Sequence, residues 1–393
     1  MQQDRKCHVL LLYSQMIPSI RLCGHCQMEY LAGEGKLEYR AIQEAKLHAR
    51  DLNWADIVLI GRMDNWYEAQ IVKMISKSGR NLIYVIDDDL LNVPPEISSA
   101  AHYQQAEVQQ RILTMMGMCD AILSPSPPLL EKYASGKQRA IQIEEPALWA
   151  VPYRPHDLNR PVKIGFAGSI DRTGDLECML KDVLVRIKHE YGDRVQFEFF
   201  GAIPSFAQDV NAKTIPYQNS YQAYRQTLND LDWDIGLAPM PDTPFHACKH
   251  YNKMIEYSAT GTMGIFSDTE PYTRLKAMDV PAVFCSNDAD AWYDALTFYI
   301  SHHEDREALR RRSADAAKQR FSVEQSAQDL MNAVKELLVP RPDRKNVAGN
   351  LRITKIRYCG HTMLEKWNRY GWRIPLVAAH KLASKLLHHR PAT

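Results

Sequence analysis

The chain contains no run of about 18 consecutive apolar residues, so no stretch of it reads as a transmembrane helix. Internal repeats and low-complexity tracts are also missing, which sets aside repeat architectures. Cysteine is sparse, eight in 393 residues, and only one CxxC occurs, Cys23-Gly24-His25-Cys26. Without a second such pair a four-cysteine zinc site is not specified, and scattered cysteines in a cytosolic chain read as free thiols. No complete GxGxxG is present, so no dinucleotide fingerprint can be claimed. The amino terminus, MQQDRKCHVLLLYS, runs straight into an apolar strand with no small-residue cleavage pattern, and a cytoplasmic location is expected. Net charge is only +1. No nucleic-acid partner is expected.

What is present describes a globular α/β protein. Hydrophobic residues make up 45% and charged residues 24%, and 393 residues exceed one typical core. The expected division is an amino-terminal Rossmann-like domain over 1–150, a linker over 151–160, a second Rossmann-like domain over 161–338 and a tail over 339–393. Prolines 146, 152, 155 and 161 break regular structure through the linker, where His156 reads as a solvated hinge residue. The tail is electrostatically separate, since residues 341–393 hold twelve Lys/Arg and two Asp/Glu. Its basic residues are mixed with Trp367, Tyr370 and Trp372, which suits an anionic membrane surface; a partner protein, nucleic acid or packing on the acidic body are the alternatives.

Strand and helix signals alternate in both halves, and this implies parallel sheets. In the first half, strands are expected at His8–Ser14, Asp56–Ile60, Asn81–Ile86, Ala121–Ser124 and Ala140–Ile143, with an amphipathic helix over Leu37–Leu52. Pro18–Arg21 reads as a loop at the carboxyl end of the first strand, and Arg21 and Arg62 fall where an open sheet places its ligand crevice. Asp87, Asp88 and Asp89 leave the strand of Asn81–Ile86 together, and adjacent carboxylates need counter-charges, helix termini or a ligand unless they form a solvated turn. In the second half, Val162–Ala167 leads to Gly168 and Ser169 and then a helix, an anion-binding entry that Gln196–Gly201 repeats. Tyr217, Tyr221 and Tyr224 read as packing residues or as a stacking surface for a base.

The stretch Asp234–Tyr272 carries the densest chemistry. A strand at Ile235–Ala238 ends in Pro239 and Pro241, a helix is expected from about Lys249 to Gly261, and a strand follows at Gly264–Ser267. Spacings of four and three put Lys249, Lys253 and Glu256 on one face of such a helix, with Glu256 roughly 10 Å beyond Lys249. That face is either a solvated ion-pair ladder or a site spanning a diphosphate and a ribose.

The words DIGLAP, Phe245–Lys249, KMIEYSATG and GIFSDTEPY resemble the donor-binding half of GT-B retaining glycosyltransferases, the group 1 or family 4-like set that includes bacterial polysaccharide transferases. The resemblance implies a GT-B fold, two doubly wound Rossmann-like domains facing across a cleft, with the basic tail added. It implies transfer of a sugar with retention from a UDP- or GDP-linked donor to a glycan or lipid-linked acceptor, with no cofactor and no metal, on the inner face of the plasma membrane. Glu256 matches the glutamate that binds the nucleotide ribose, while Cys248 stands where the first of the family's usual pair of glutamates would be. The implied catalytic set is Lys249, Arg172, Asp87 and Asp88, with Gly168, Ser169, Gly201, Tyr217, Lys253 and Glu256 on the donor and Arg21 and Arg62 on the acceptor side. Arg172 substitutes for a basic residue usual at Ile170. Two rival readings are a non-catalytic GT-B scaffold and a thiol-disulfide protein built on Cys23 and Cys26.

Overall fold

The structure, a computed structural model, describes residues 6–134, 136, 138–278, 280–338 and 344–347. Among the described residues, twelve strands form two sheets. The first contains β1 (His8–Tyr13), β2 (Glu38–Gln43), β3 (Ile57–Gly61), β4 (Asn81–Val85), β5 (Ala121–Ser124) and β6 (Arg139–Gln142), in the order β2-β1-β3-β4-β5-β6. The second contains β7 (Val162–Gly168), β8 (Val195–Gly201), β9 (Lys213–Ile215), β10 (Ile235–Ala238), β11 (Met263–Ser267) and β12 (Ala282–Cys285), in the order β12-β11-β10-β7-β8-β9. Every pairing is parallel.

The central strands follow directly from their sequences. Ile57–Gly61, Asn81–Val85, Ala121–Ser124, Ile235–Ala238 and Met263–Ser267 are buried at every position, because helices cover both faces of a parallel sheet. Each sheet therefore has two apolar layers. Leu10, Val58, Tyr84 and Ile112 belong to one layer of the first sheet, and Val9, Leu11, Leu59 and Ile83 to the other.

Three expectations are corrected here. Leu37–Leu52 is not a helix: Glu38–Gln43 is an edge strand paired with β1, and a helix begins only at Ala49. The edge position explains the polar sequence, since its residues are only partly covered. Pro18–Arg21 is not a loop but a helical turn leading through Arg21–His25 into helix α1 (Cys26–Gly33). His156 is not solvated, as described next.

The linker is clamped to the second sheet. His156 Nδ1 lies 2.7 Å from Asp234 Oδ1 and Nε2 lies 2.9 Å from Asp232 Oδ1. Tyr153 donates to Glu307 Oε2 at 2.8 Å, and Arg310 bonds both oxygens of that carboxylate. Ligand atoms of His156, Asp234 and Glu307 fall within 4.8 Å of one another. Arg160 and Arg306 are 3.1 and 3.7 Å from the Asp234 carboxylate, and Arg310 lies against His156 as well. Guanidinium groups fill the role a cation would take, so the cluster is an ion-pair clamp.

The chain then returns to the first sheet. Helix α2 (Asn252–Thr260) packs on helix α3 (His303–Gln319), and helix α4 (Val323–Val334) crosses back to α1. Ala327, Leu330 and Val334 join the layer of Val9, Leu11 and Ile57, and Gln27 Nε2 donates to Ser326 Oγ at 3.0 Å. This return lies inside the 161–338 span assigned to the second half. Residues 344–347 also pack on the first half, with Arg344 bonded to Ala55 O and Asp56 and Val347 buried. The remaining tail, including Trp367, Tyr370 and Trp372, lies outside the described residues.

Burial lowers the proton affinity of His156, but hydrogen bonds to Asp232 and Asp234 outweigh it and raise the value above the usual histidine range. Its contribution to stability is complete below about pH 6.5 and is lost as pH rises through the folded value. The gap in Tm between the native chain and His156→Gln is therefore expected to be wider at pH 6 than at pH 9, measured by thermal denaturation.

Candidate functional site

Open α/β sheets bind ligands beyond the carboxyl ends of their strands, where the strand order reverses. In the first sheet this is between β1 and β3, followed by Ser19 to Arg21 and by Arg62; in the second it is between β7 and β10, followed by Gly168–Arg172 and Pro239–Lys249. The two crevices face one another. Lys249 Nζ reaches Asp88 Oδ1 at 3.0 Å, Ser98 N donates to Asp171 Oδ1 at 3.0 Å, and His250 Nε2 lies 2.9 Å from Glu144 Oε1.

On the first side, the three aspartates separate. Arg62 adopts a left-handed φ of 49° and contacts Asp87 Oδ1 at 3.1 Å and Asp88 Oδ2 at 3.5 Å. Asp89 turns away to Lys132 at 2.5 Å, to Asn92 at 2.9 Å and to the Tyr133 hydroxyl. Burial pushes the Asp88 carboxyl up, but Lys249 and Arg62 outweigh it and hold it at about 2. Asp87 goes the other way: burial raises it against the pull of Arg62, and repulsion from Asp88 adds to the rise. Arg21 does not join them. It lies in the turn Arg21–His25, its charge acts on His25 and Tyr39, and among the described residues it forms no ion pair with either aspartate.

On the second side, the helix starts later than its spacing suggests. α2 begins at Asn252, so Lys249 is not on its face; it precedes the helix, held by a bond from Arg274 to its carbonyl at 2.6 Å. Lys253 and Glu256 do share the face, 2.5 Å apart, and Tyr224 donates to Glu256 Oε2 at 3.0 Å. Gly261 closes the helix with φ 66°. Arg172 is fixed between Asp175 and Pro239 O, the latter at 2.6 Å, and so ties together the chains leaving β7 and β10. Gly168 pairs with Gly201, whose φ is 82° and where an added Cβ would meet Gly168 O at 2.2 Å. Only glycine fits there. Ser169 is exposed at this mouth, and Tyr217, 58% exposed, stands beside Gly201.

Two histidines here, His246 and His250, were not singled out by sequence reasoning. His246 Nδ1 contacts Thr243 Oγ1 at 2.7 Å, and burial together with the charges of Arg172 and Lys249 pushes the imidazole down to about 4. Burial is the larger cause, and the two cations add to it. The histidines flanking Lys249 in HACKH were the available signal. Cys248 is buried with Phe245 in a layer of the first sheet, its Sγ 3.9 Å from Asp89 Oδ2, and burial raises its thiol. Glu145 and His250 meet at the seam, with His250 Nδ1 3.9 Å from Glu145 Oε2.

Cys23 and Cys26 do not form a reactive thiol site. Both are buried, Cys26 Sγ is bonded to Gln27 Oε1 at 3.2 Å, and burial raises both thiols well above their ordinary range. A nucleophilic thiol requires the opposite shift.

No protein-family model and no curated protein matches the chain. Solved structures do. HepE from Anabaena, in complex with UDP and glucose, superposes with a TM-score of 0.53 at 12% identity, covering 83% of this chain and 99% of HepE. The chain has the GT-B fold. A sucrose-phosphate synthase from Thermosynechococcus elongatus superposes with a TM-score of 0.57 at 12% identity, covering 84% of this chain and 99% of the synthase. A putative UDP-N-acetylglucosamine 2-epimerase from Listeria monocytogenes gives 0.53 at 12% identity, covering 87% and 99%. The two facing sheets are thus the two Rossmann-like units of a GT-B protein.

Removing Arg62 would leave Asp87 and Asp88 side by side with Lys249 as their one cation among the described residues. Arg62→Ala is expected to cost about 3–5 kcal/mol of stability, and adding Asp88→Asn should recover part of it. Urea denaturation of the single and double variants measures both.

Proposed function

We propose that the protein is a glycosyltransferase that moves a sugar, with retention, from a UDP- or GDP-linked donor to a glycan or lipid-linked acceptor in cell-surface polysaccharide synthesis. The observation that carries this reading is the basic lip formed by Arg172 and Lys249 at the reversal point of the second sheet, with Glu256 and Tyr224 beyond it. Retaining GT-B glycosyltransferases are the family that the motif words of residues 234–272 resemble, and HepE, on the same fold, is bound to UDP and glucose.

The reaction requires stabilisation of a departing diphosphate and of an oxocarbenium-like sugar. Lys249, Arg172 and the backbone N–H groups near Gly168 and Ser169 would take the diphosphate, with no metal or other cofactor. Glu256, oriented by Tyr224 and exchanging its bond to Lys253, would fix the ribose; it contributes position rather than chemistry. Gly201 and Tyr217 would border the base. Asp88, held ionised between two cations, and Asp87 would face the developing positive charge or orient the acceptor hydroxyl, with Arg62 and Arg21 on the acceptor side. Exclusion of water by the closed seam limits hydrolysis of the donor. The protein would act in the cytoplasm, with residues 341–393 against an anionic membrane surface.

Cys248 favours a second reading, a GT-B scaffold that binds the nucleotide without turnover, because an uncharged, buried thiol occupies the place of the expected acid. Epimerisation is a third outcome available to the fold. Product analysis with and without acceptor separates the three.

A thermal-shift panel of UDP, GDP, ADP, CMP and their sugar conjugates should show selective stabilisation by one nucleoside diphosphate. Glu256→Ala should weaken that nucleotide by about 10- to 100-fold, the effect of losing a charged hydrogen bond. An unchanged affinity removes Glu256 from the donor site.

A further inference from the structure

Glu145 follows β6 of the first sheet and is 1% exposed, yet its Oε2 has no hydrogen-bond partner. A buried carboxylate oxygen without a partner is costly, which makes such an atom a pointer to a missing group. It lines a narrow recess at the seam with Leu22, Trp149, Tyr221, Asn252 and Glu256. Trp149, which lines the same recess, has a second buried polar atom without a partner, its Nε1. The remaining space is about 10 Å³, enough for one water-sized group. Glu145 and Trp149, each with an unpartnered buried polar atom, and Glu256 of the second half thus line one recess with room for a single hydroxyl.

We infer that Glu145 is a donor-binding residue supplied by the first half of the fold: its carboxyl group, acting as a hydrogen-bond donor, takes one hydroxyl of a sugar diol whose neighbouring hydroxyl is held by Glu256. The inference rests on the nucleotide-sugar reading of the site and adds to it the residue that makes donor recognition depend on both halves. The surroundings keep this carboxyl neutral. Burial raises Glu145 to about 8, against the pull of His250 and a hydrogen bond from Asn252, with Asp87 and Glu144 adding repulsion. Cys23, Cys26 and Tyr221 also face it, all with raised values, so none supplies a counter-charge. His250 is the one cationic neighbour among the described residues in this set, and it is shared with Glu144 at 2.9 Å. Only a neutral carboxyl can donate to a hydroxyl oxygen; an ionised one can only accept from the hydroxyl.

Calorimetric titration of UDP-glucose, with GDP-glucose as a second probe, tests this on the intact chain between pH 6.5 and 9.5. The native protein should take up a proton on binding above pH 8, and its affinity should fall by up to about tenfold per pH unit there. Glu145→Gln, neutral at every pH and still able to donate, should bind with a flat profile across the same interval. Equal slopes in the two proteins overturn the inference and assign the titration to His250. Absence of proton uptake by the native protein overturns it independently, even where the variant does not fold. Failure of both sugar nucleotides to bind at any pH overturns the donor reading itself, and the role of Glu145 with it.

Discussion

Two neighbouring, half-buried carboxylates at the end of a strand are what the two halves of this protein must jointly neutralise. Asp87 and Asp88 cannot both be ionised in a poorly solvated cleft without cations close by. One cation, Arg62, comes from the same sheet, and the other, Lys249, comes from the facing one. Charge balance and closure of the cleft are therefore one requirement. The backbone reflects it: Arg62 occupies a left-handed conformation that side chains seldom adopt, and this directs its guanidinium toward the neighbouring strand end.

The seam is reinforced by burial as well as by charge. Phe245 and Cys248, from the chain after β10, pack into an apolar layer of the first sheet, and Ala327, Leu330 and Val334 of α4 close the opposite layer. Tyr251 donates to Glu144 Oε2 at 2.5 Å, and Ala147 N bonds to Phe321 O at 2.7 Å shortly before the linker. Each fully buried aliphatic or aromatic side chain contributes about 1.5–3 kcal/mol, so these few residues outweigh the exposed ion pairs around them. The cleft is thus framed by fixed walls, with its charged groups at the lip.

Most of the fold was legible because parallel strands covered on both faces must be continuous apolar runs. IVLIG, NLIYV, IGLA and MGIFS carry that signal without ambiguity. Edge strands lose it. Glu38–Gln43 is half exposed and was read as helix, and Lys213–Ile215 gave no strand signal at all. The site was legible by composition and misread in geometry. Spacing placed Lys249 on the helix of Glu256, but Tyr251, with φ −82° and ψ 42°, interrupts the path, and the helix starts one residue later. Freed from the helix, Lys249 points across the cleft. Pairings such as His250 with Glu144 join residues more than a hundred positions apart, and no local pattern encodes them.

This geometry also bears on how a diphosphate would enter. An anion arriving between Arg172 and Lys249 would compete with Asp88 for the ammonium group. If the ammonium shifts toward the anion, Asp88 keeps its contact with Arg62, so the aspartate is not left without a counter-charge. Lys249 can then answer to ligand on one side and to the first sheet on the other. Because the same lysine serves both, any change in its position is felt across the seam, where the half-buried Asp87 and the buried Glu145 interact with one another. A ligand bound at the second sheet would in this way alter the electrostatics of the first without any large movement of the layers beneath it.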